Sequence, residues 1–263
     1  MTKRLPMIKN LLKPDLKPDQ LITCIKTTNM GNEVKSLADQ LSEPEADTEN
    51  LSRHAAIMKA TNIHTGTLTL YCNKDGNISL KAPDNASAPE QLYSVPGNSV
   101  LFAINGQSYS IQLYRLDGEY LTRAEQVIVD AENPLFIDGS KMLYDSNPNG
   151  NGHPAFIGSI NLPDRTADIS VFDPHSLRKI GWFPHDDSAA RFLVSLELLE
   201  AAQDPGACKV AQELIYHYHP AVAWRAFQMI NRTDHQAALS CAPLLRNLQD
   251  SRLNYLLDQC EAA

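Results

Sequence analysis

The feature that most constrains this chain is a change of hydrophobic period near Asp187. Before it, apolar and polar residues alternate; after it, apolar residues recur every three to four positions. A period of two fits a half-buried strand and a period of about 3.6 fits an amphipathic helix. One chain carrying both in separate blocks reads as α+β, with the helices segregated at one end.

The alternating block is punctuated by turn chemistry. Thr67-Leu68-Thr69-Leu70-Tyr71 alternates and ends at Asp75-Gly76, and 78–81 resumes. An apolar strand over 99–104 stops at Asn105-Gly106, and 108–116 stops at Asp117-Gly118. Asn-Gly and Asp-Gly supply the positive φ that tight hairpin turns demand. Three such turns predict an antiparallel meander. Further strands are expected at 126–129, 135–138, 155–160, 169–172 and 179–183, and their number and spacing point to an antiparallel β-barrel or sandwich.

From Asp187 onward the sequence predicts five short helices. Phe192, Leu193, Leu196 and Leu199 make one stripe, and Ala207, Val210, Ala211 and Leu214 the next. Asp204-Pro205 and His219-Pro220 read as helix starts, since proline at the first helical position loses no hydrogen bond. Asn231 to Gln236 reads as a connection. Pro243 should lie in a first turn, so a fourth helix is expected to open near Ser240. Asp250 caps the fifth.

The first 60 residues read as a helical arm. Val34, Leu37, Ala38 and Leu41 share a helix face over 31–42, an acidic linker spans 42–50, and 51–60 suggests a further helical turn. The expected division is therefore 1–60, 61–185 and 186–263.

Charge and cysteine content narrow the function classes. The formal net charge is −8 and no basic stripe occurs, so neither nucleic acid nor an anionic membrane is an expected partner. No apolar run approaches the roughly 18 residues of a spanning helix. The five cysteines, Cys24, Cys72, Cys208, Cys241 and Cys260, contain no CxxC pair and read as reduced thiols. Pro6, Lys9 and Lys13 interrupt the N-terminal apolar stretch, so a cytoplasmic location is expected.

Two stretches resemble known families. Residues 219–260 resemble HEAT-like repeats in Val222, Trp224, Arg225, Ala226 and Ile230, then Asp234, Pro243 and Leu244. The resemblance implies helical hairpins that bind through a face, and it nominates Trp224, Arg225 and Phe227 as interface residues. Val95-Pro96-Gly97-Asn98 before a strand is similar to a turn of cupin barrels. The metal motif of that family is missing here, because no histidine lies between His64 and His153.

Four residues around the β-to-helix junction carry the chemistry that remains. His185 with Asp187, and His217 with His219, could hold a divalent metal or move protons. The same residues also fit helix caps: Asp186, Asp187 and Ser188 suit a helix start, and a histidine suits a helix end. No catalytic triad, phosphate loop or dinucleotide fingerprint is present. No cofactor is predicted; a divalent metal at those four residues is the alternative.

The functional expectation is a non-enzymatic cytoplasmic binding or regulatory protein that acts through its helices, with a protein partner or a second copy in a homodimer. The alternative is a small-molecule-binding or metal-dependent enzyme with its site in the β domain or at the junction.

Overall fold

The computed structural model describes residues 7–12, 16–42, 60–62, 66–83, 89–148, 150–152, 154–163 and 168–261. The expectations over 42–50 and 51–60 fall almost wholly outside them, as does His153. The fold is mixed α and β, with most helices in the C-terminal part. The chain divides into a first unit, Met1–Asp164 with Val171–Lys179, and a second, Arg165–Ser170 with Ile180–Ala263.

The first unit opens with a 3-10 turn at Met7–Leu11, then α1 (Pro18–Thr27) and α2 (Met30–Ser42). α1 lies ahead of the 31–42 stretch in which the sequence shows a helix face. Its N-terminus carries proline, and Leu21 and Ile25 face inward. Eleven strands follow: β1 (Thr61–Asn62), β2 (Thr67–Asn73), β3 (Gly76–Lys81), β4 (Leu92–Tyr93), β5 (Gly97–Ala103), β6 (Tyr109–Asp117), β7 (Tyr120–Val129), β8 (Leu135–Asp138), β9 (Met142–Asp145), β10 (Ile157–Pro163) and β11 (Ile169–Phe172).

One sheet has the order β1-β2-β3-β10-β5-β8, and a second has β7-β6-β9. β4 pairs with β11, Val171 opposite Tyr93 and Phe172 opposite Leu92. All described pairings are antiparallel, and the six-stranded sheet and the three-stranded ones are open, so the described strands close no barrel. Two of the three turn pairs join paired strands. Asn73 Oδ1 accepts from the amides of Asp75 and Gly76 at the β2–β3 turn. Gly118, at φ +59°, turns β6 into β7. The third, Asn105-Gly106, has both residues at positive φ yet joins β5 of one sheet to β6 of the other, so it is a corner and the meander is broken there.

β5 explains the layering. Its run from Ser99 to Ala103 is buried throughout. Val100 and Phe102 pack with Ile8, Leu12, Leu21, Ile25, Val34 and Leu37 of the N-terminal helices. Leu101 and Ala103 point the other way, into a core with Ile111, Leu113 and Val129 of the second sheet. The far face of that sheet presents Tyr114, Leu121 and Leu143 to Leu92 and Phe172. The N-terminal helices are therefore one layer of the β-rich unit and share its core, which corrects the separate arm expected over 1–60.

The second unit contains β12 (Lys179–Phe183) and five helices: α3 (Asp187–Ala201), α4 (Ala207–Leu214), α5 (Pro220–Thr233), α6 (His235–Arg246) and α7 (Ser251–Glu261). Their core gathers Leu196, Ala211, Val222, Ala226, Phe227, Ile230, Leu245, Leu253 and Leu257. The expected opening of the fourth helix near Ser240 is corrected. α6 begins at His235, directly after the shared cap Asp234, whose carboxylate accepts from Ala237 N. Pro243 sits inside α6. A cap at Asp234, ahead of Ser240, decides the start, and the helix tolerates the ladder bond that proline removes.

Candidate functional site

The junction residues singled out from the sequence belong to the second unit, and one of them, His219, is a helix cap. His219 is the N-cap of α5: its Nδ1 accepts from Ala221 N at 3.2 Å. That bond occupies the lone pair, so neutral His219 carries its proton on Nε2. Nε2 faces the Asp168 carboxylate at 3.1 Å. Asp168 also accepts from His185 N at 3.0 Å, so one carboxylate ties the approach to α3 to the start of α5. His219 is buried, at 8% exposure.

His217 is held in the same way. Its Nδ1 accepts from His219 N at 3.1 Å. Burial, and then the nearby His219, lower its pKa. Its ring stacks on Tyr218 at 4.5 Å and meets the edge of Phe192 at 5.2 Å. Tyr218 donates to Asp186. Asp186 is the N-cap of α3, accepting from Ser188 N at 2.7 Å. Asp187 is the first residue of α3; its side chain lies outside the described residues.

This arrangement bears directly on metal and acid–base chemistry. A metal ligand or a general base needs a free ring lone pair. In both His217 and His219 the Nδ1 lone pair is spent on a backbone amide, and the other ring nitrogen of a neutral imidazole carries hydrogen. Of His185, the backbone amide makes the contact with Asp168. Among the described residues no three His, Cys, Asp or Glu side chains are placed to hold a metal ion.

The residues nominated for an interface also sit elsewhere. Phe227 is fully buried in the helical core, and Trp224 stacks on it at 5.3 Å. Arg225 pairs with Glu200 of α3, as does Arg232. These three side chains fasten α5 to its neighbours, which corrects their placement at an outer face. The HEAT-like pattern marks inward positions here.

The apolar surface of the unit lies on α3 and on the segment before α5. The expected stripe on α3 holds only in part: Leu196 is buried and Leu193 half-packed, but Phe192 is exposed. Val194 and Leu198, one turn apart on the opposite side, are 55% and 64% exposed. Tyr216 and Tyr218 are 73% and 62% exposed. α3 thus covers Ala189 and Leu196 and leaves Val194 and Leu198 open to solvent, next to the exposed Arg191.

Asp168, Tyr218, Val194 and Leu198 were missed from the sequence. Asp168 lies 51 residues from His219 and carries no local signal. Val194 and Leu198 had one: α3 holds too many apolar residues for a single buried stripe.

The β-rich unit has a buried carboxyl of its own. Asp145 on β9 is 8% exposed, and burial raises its pKa. It accepts from Asn147 N at 2.8 Å and stands opposite Gln112 of β6. Burial likewise raises the Tyr114 hydroxyl on β6, and Asp145 adds to that effect.

No family model matches the chain, and no curated protein matches it. Among solved structures it is similar to hydroquinone 1,2-dioxygenase PnpCD, determined with Cd2+ and 4-hydroxybenzonitrile. The identity is 9% and the TM-score 0.30, over 46% of this chain and 80% of that one.

Proposed function

We propose that this is a non-enzymatic, cytoplasmic binding or regulatory protein that works through protein contacts of its helical unit, with a second copy of the chain as the partner. The carrying observation is the exposed apolar pair Val194 and Leu198 on α3; the Phe192–His217–Tyr218 ring row adds exposed aromatic surface on another side of the same helix. Large exposed apolar patches on soluble proteins mark interaction sites, and aromatic side chains are enriched where interfaces gain most energy. A two-fold interface is the commonest way for such a surface to be covered by its own kind.

The engagement of the His217 and His219 Nδ1 atoms by backbone amides argues against a metal-dependent reaction there. The single-residue connection between α5 and α6 suits a HEAT-like hairpin. The layered sheets suit a cupin-like relationship in which the β-rich unit serves as scaffold.

The test is the oligomeric state of the full chain by sedimentation equilibrium, wild type against Leu198→Glu. The wild type should sediment as a dimer and the variant as a monomer with unchanged circular dichroism. A wild type that stays monomeric at about 100 µM, a concentration at which even a weak micromolar interface is filled, would sink the self-association reading.

A further inference from the structure

The segment 217–219, between α4 and α5, is tied down by a bond that needs a neutral imidazole. His217 Nδ1 accepts from His219 N at 3.1 Å. His219 is buried, so an amide left without its acceptor there costs more than an exposed one. The His217 ring is also packed from two directions. It stacks on Tyr218 at 4.5 Å and meets the edge of Phe192, on α3, at 5.2 Å. Tyr218 in turn donates to Asp186, the N-cap of α3. One ring therefore fastens the approach to α5 and lies against α3.

Protonation of His217 removes this bond outright. An imidazolium carries hydrogen on both ring nitrogens and has no lone pair to offer. Its Nδ1–H would face the His219 N–H, donor against donor. The groups that bear on the ring's charge come from both sides. His219 on its own segment opposes the cation, and Asp186 at the start of α3 favours it. Asp168, from the segment before β11, faces His219 Nε2 at 3.1 Å. Burial is the largest effect, and the net direction is a lowered pKa.

We propose that His217 is a proton-sensitive latch: neutral, it holds the 217–219 segment against α3, and protonated, it lets that segment go. The device is local, because neither His217 nor Tyr218 belongs to the core of the helical unit. It does not involve Val194 or Leu198, so this reading and the association reading can fail separately.

The sign follows from linkage. A base whose folded-state pKa is lowered contributes stability that is full above its unfolded value of about 6.5 and is lost as pH falls through the folded one. The latch is closed at neutral pH and opens in mild acid.

The experiment compares full-length wild type with His217→Asn from about pH 7.5 to about pH 5. The asparagine oxygen can accept from an amide two residues on, and it does not titrate in this range. Nuclear magnetic resonance follows the wild-type His217 ring and the His219 amide through the titration. As the ring is protonated, the His219 amide should lose about fivefold or more of its hydrogen-exchange protection factor. In His217→Asn it should keep that protection. In parallel, acidification should raise the urea-unfolding constant of the helical unit about fivefold more in wild type than in the variant. A wild-type His219 amide whose protection is unchanged through the His217 titration overturns the proposal, whatever the variant does. So does an equal response to acid in the two proteins.

Discussion

Replacing His219 separates a structural cap from a chemical site. In His219→Ala, Ala221 N loses its acceptor and Asp168 loses a donor. Removing an N-cap costs about 1 kcal/mol. Losing a hydrogen bond to a carboxylate costs about 1.5 kcal/mol or somewhat more. The sum is about 2–3 kcal/mol. In His219→Asn the side-chain oxygen can still accept from Ala221 N while the reach to Asp168 is lost, so this variant should recover about 1 kcal/mol of the deficit. Both tryptophans, Trp182 and Trp224, lie in the helical unit, so urea denaturation followed by their fluorescence reads that unit. Equal losses for the two variants would refute the cap assignment. So would stabilisation of the wild type, but not of His219→Ala, by added Zn2+.

Two further outcomes follow from particular side chains. Asp145 has a folded-state pKa above its unfolded value, because burial disfavours the carboxylate. Stability from this group is then full below the unfolded pKa and lost as pH rises through the folded one. Asp145→Asn, which can still accept from Asn147 N, should raise the melting temperature at neutral pH and leave it little changed near pH 4; a lower melting temperature at pH 7 would contradict the assignment. Pro243 withholds one ladder bond inside α6, so Pro243→Ala should stabilise the helical unit by about 1 kcal/mol or more in the same urea assay. A loss of stability there would mean that α6 is kinked to fit its neighbours.

Local signals in the sequence carried far. The strands over Leu135–Asp138, Ile169–Phe172 and Lys179–Phe183 coincide with the observed ones, since each is a short apolar run between turn residues. His219-Pro220 and Asp250 mark helix starts for the stated reason of capping. What local pattern cannot carry is pairing. β10 inserts between β3 and β5, and the Asn105-Gly106 turn leads from one sheet to the other; both depend on contacts between distant residues. Two local signals conflict at the fourth helix: Asp234 caps its start and leaves Pro243 in its interior. At the junction, the histidines were visible but their roles were not. Those roles are set by Asp168 and by the backbone amides of His219 and Ala221.

The central claim is that the open side of α3 is an interface, and the mass of the chain in solution tests it most directly. Sedimentation equilibrium should give twice the single-chain mass for wild type. It should give the single-chain mass for the Val194→Glu, Leu198→Glu double variant, with unchanged helical circular dichroism, because two buried charges at the centre of a small interface outweigh its apolar gain. A double variant as dimeric as the wild type would contradict the claim.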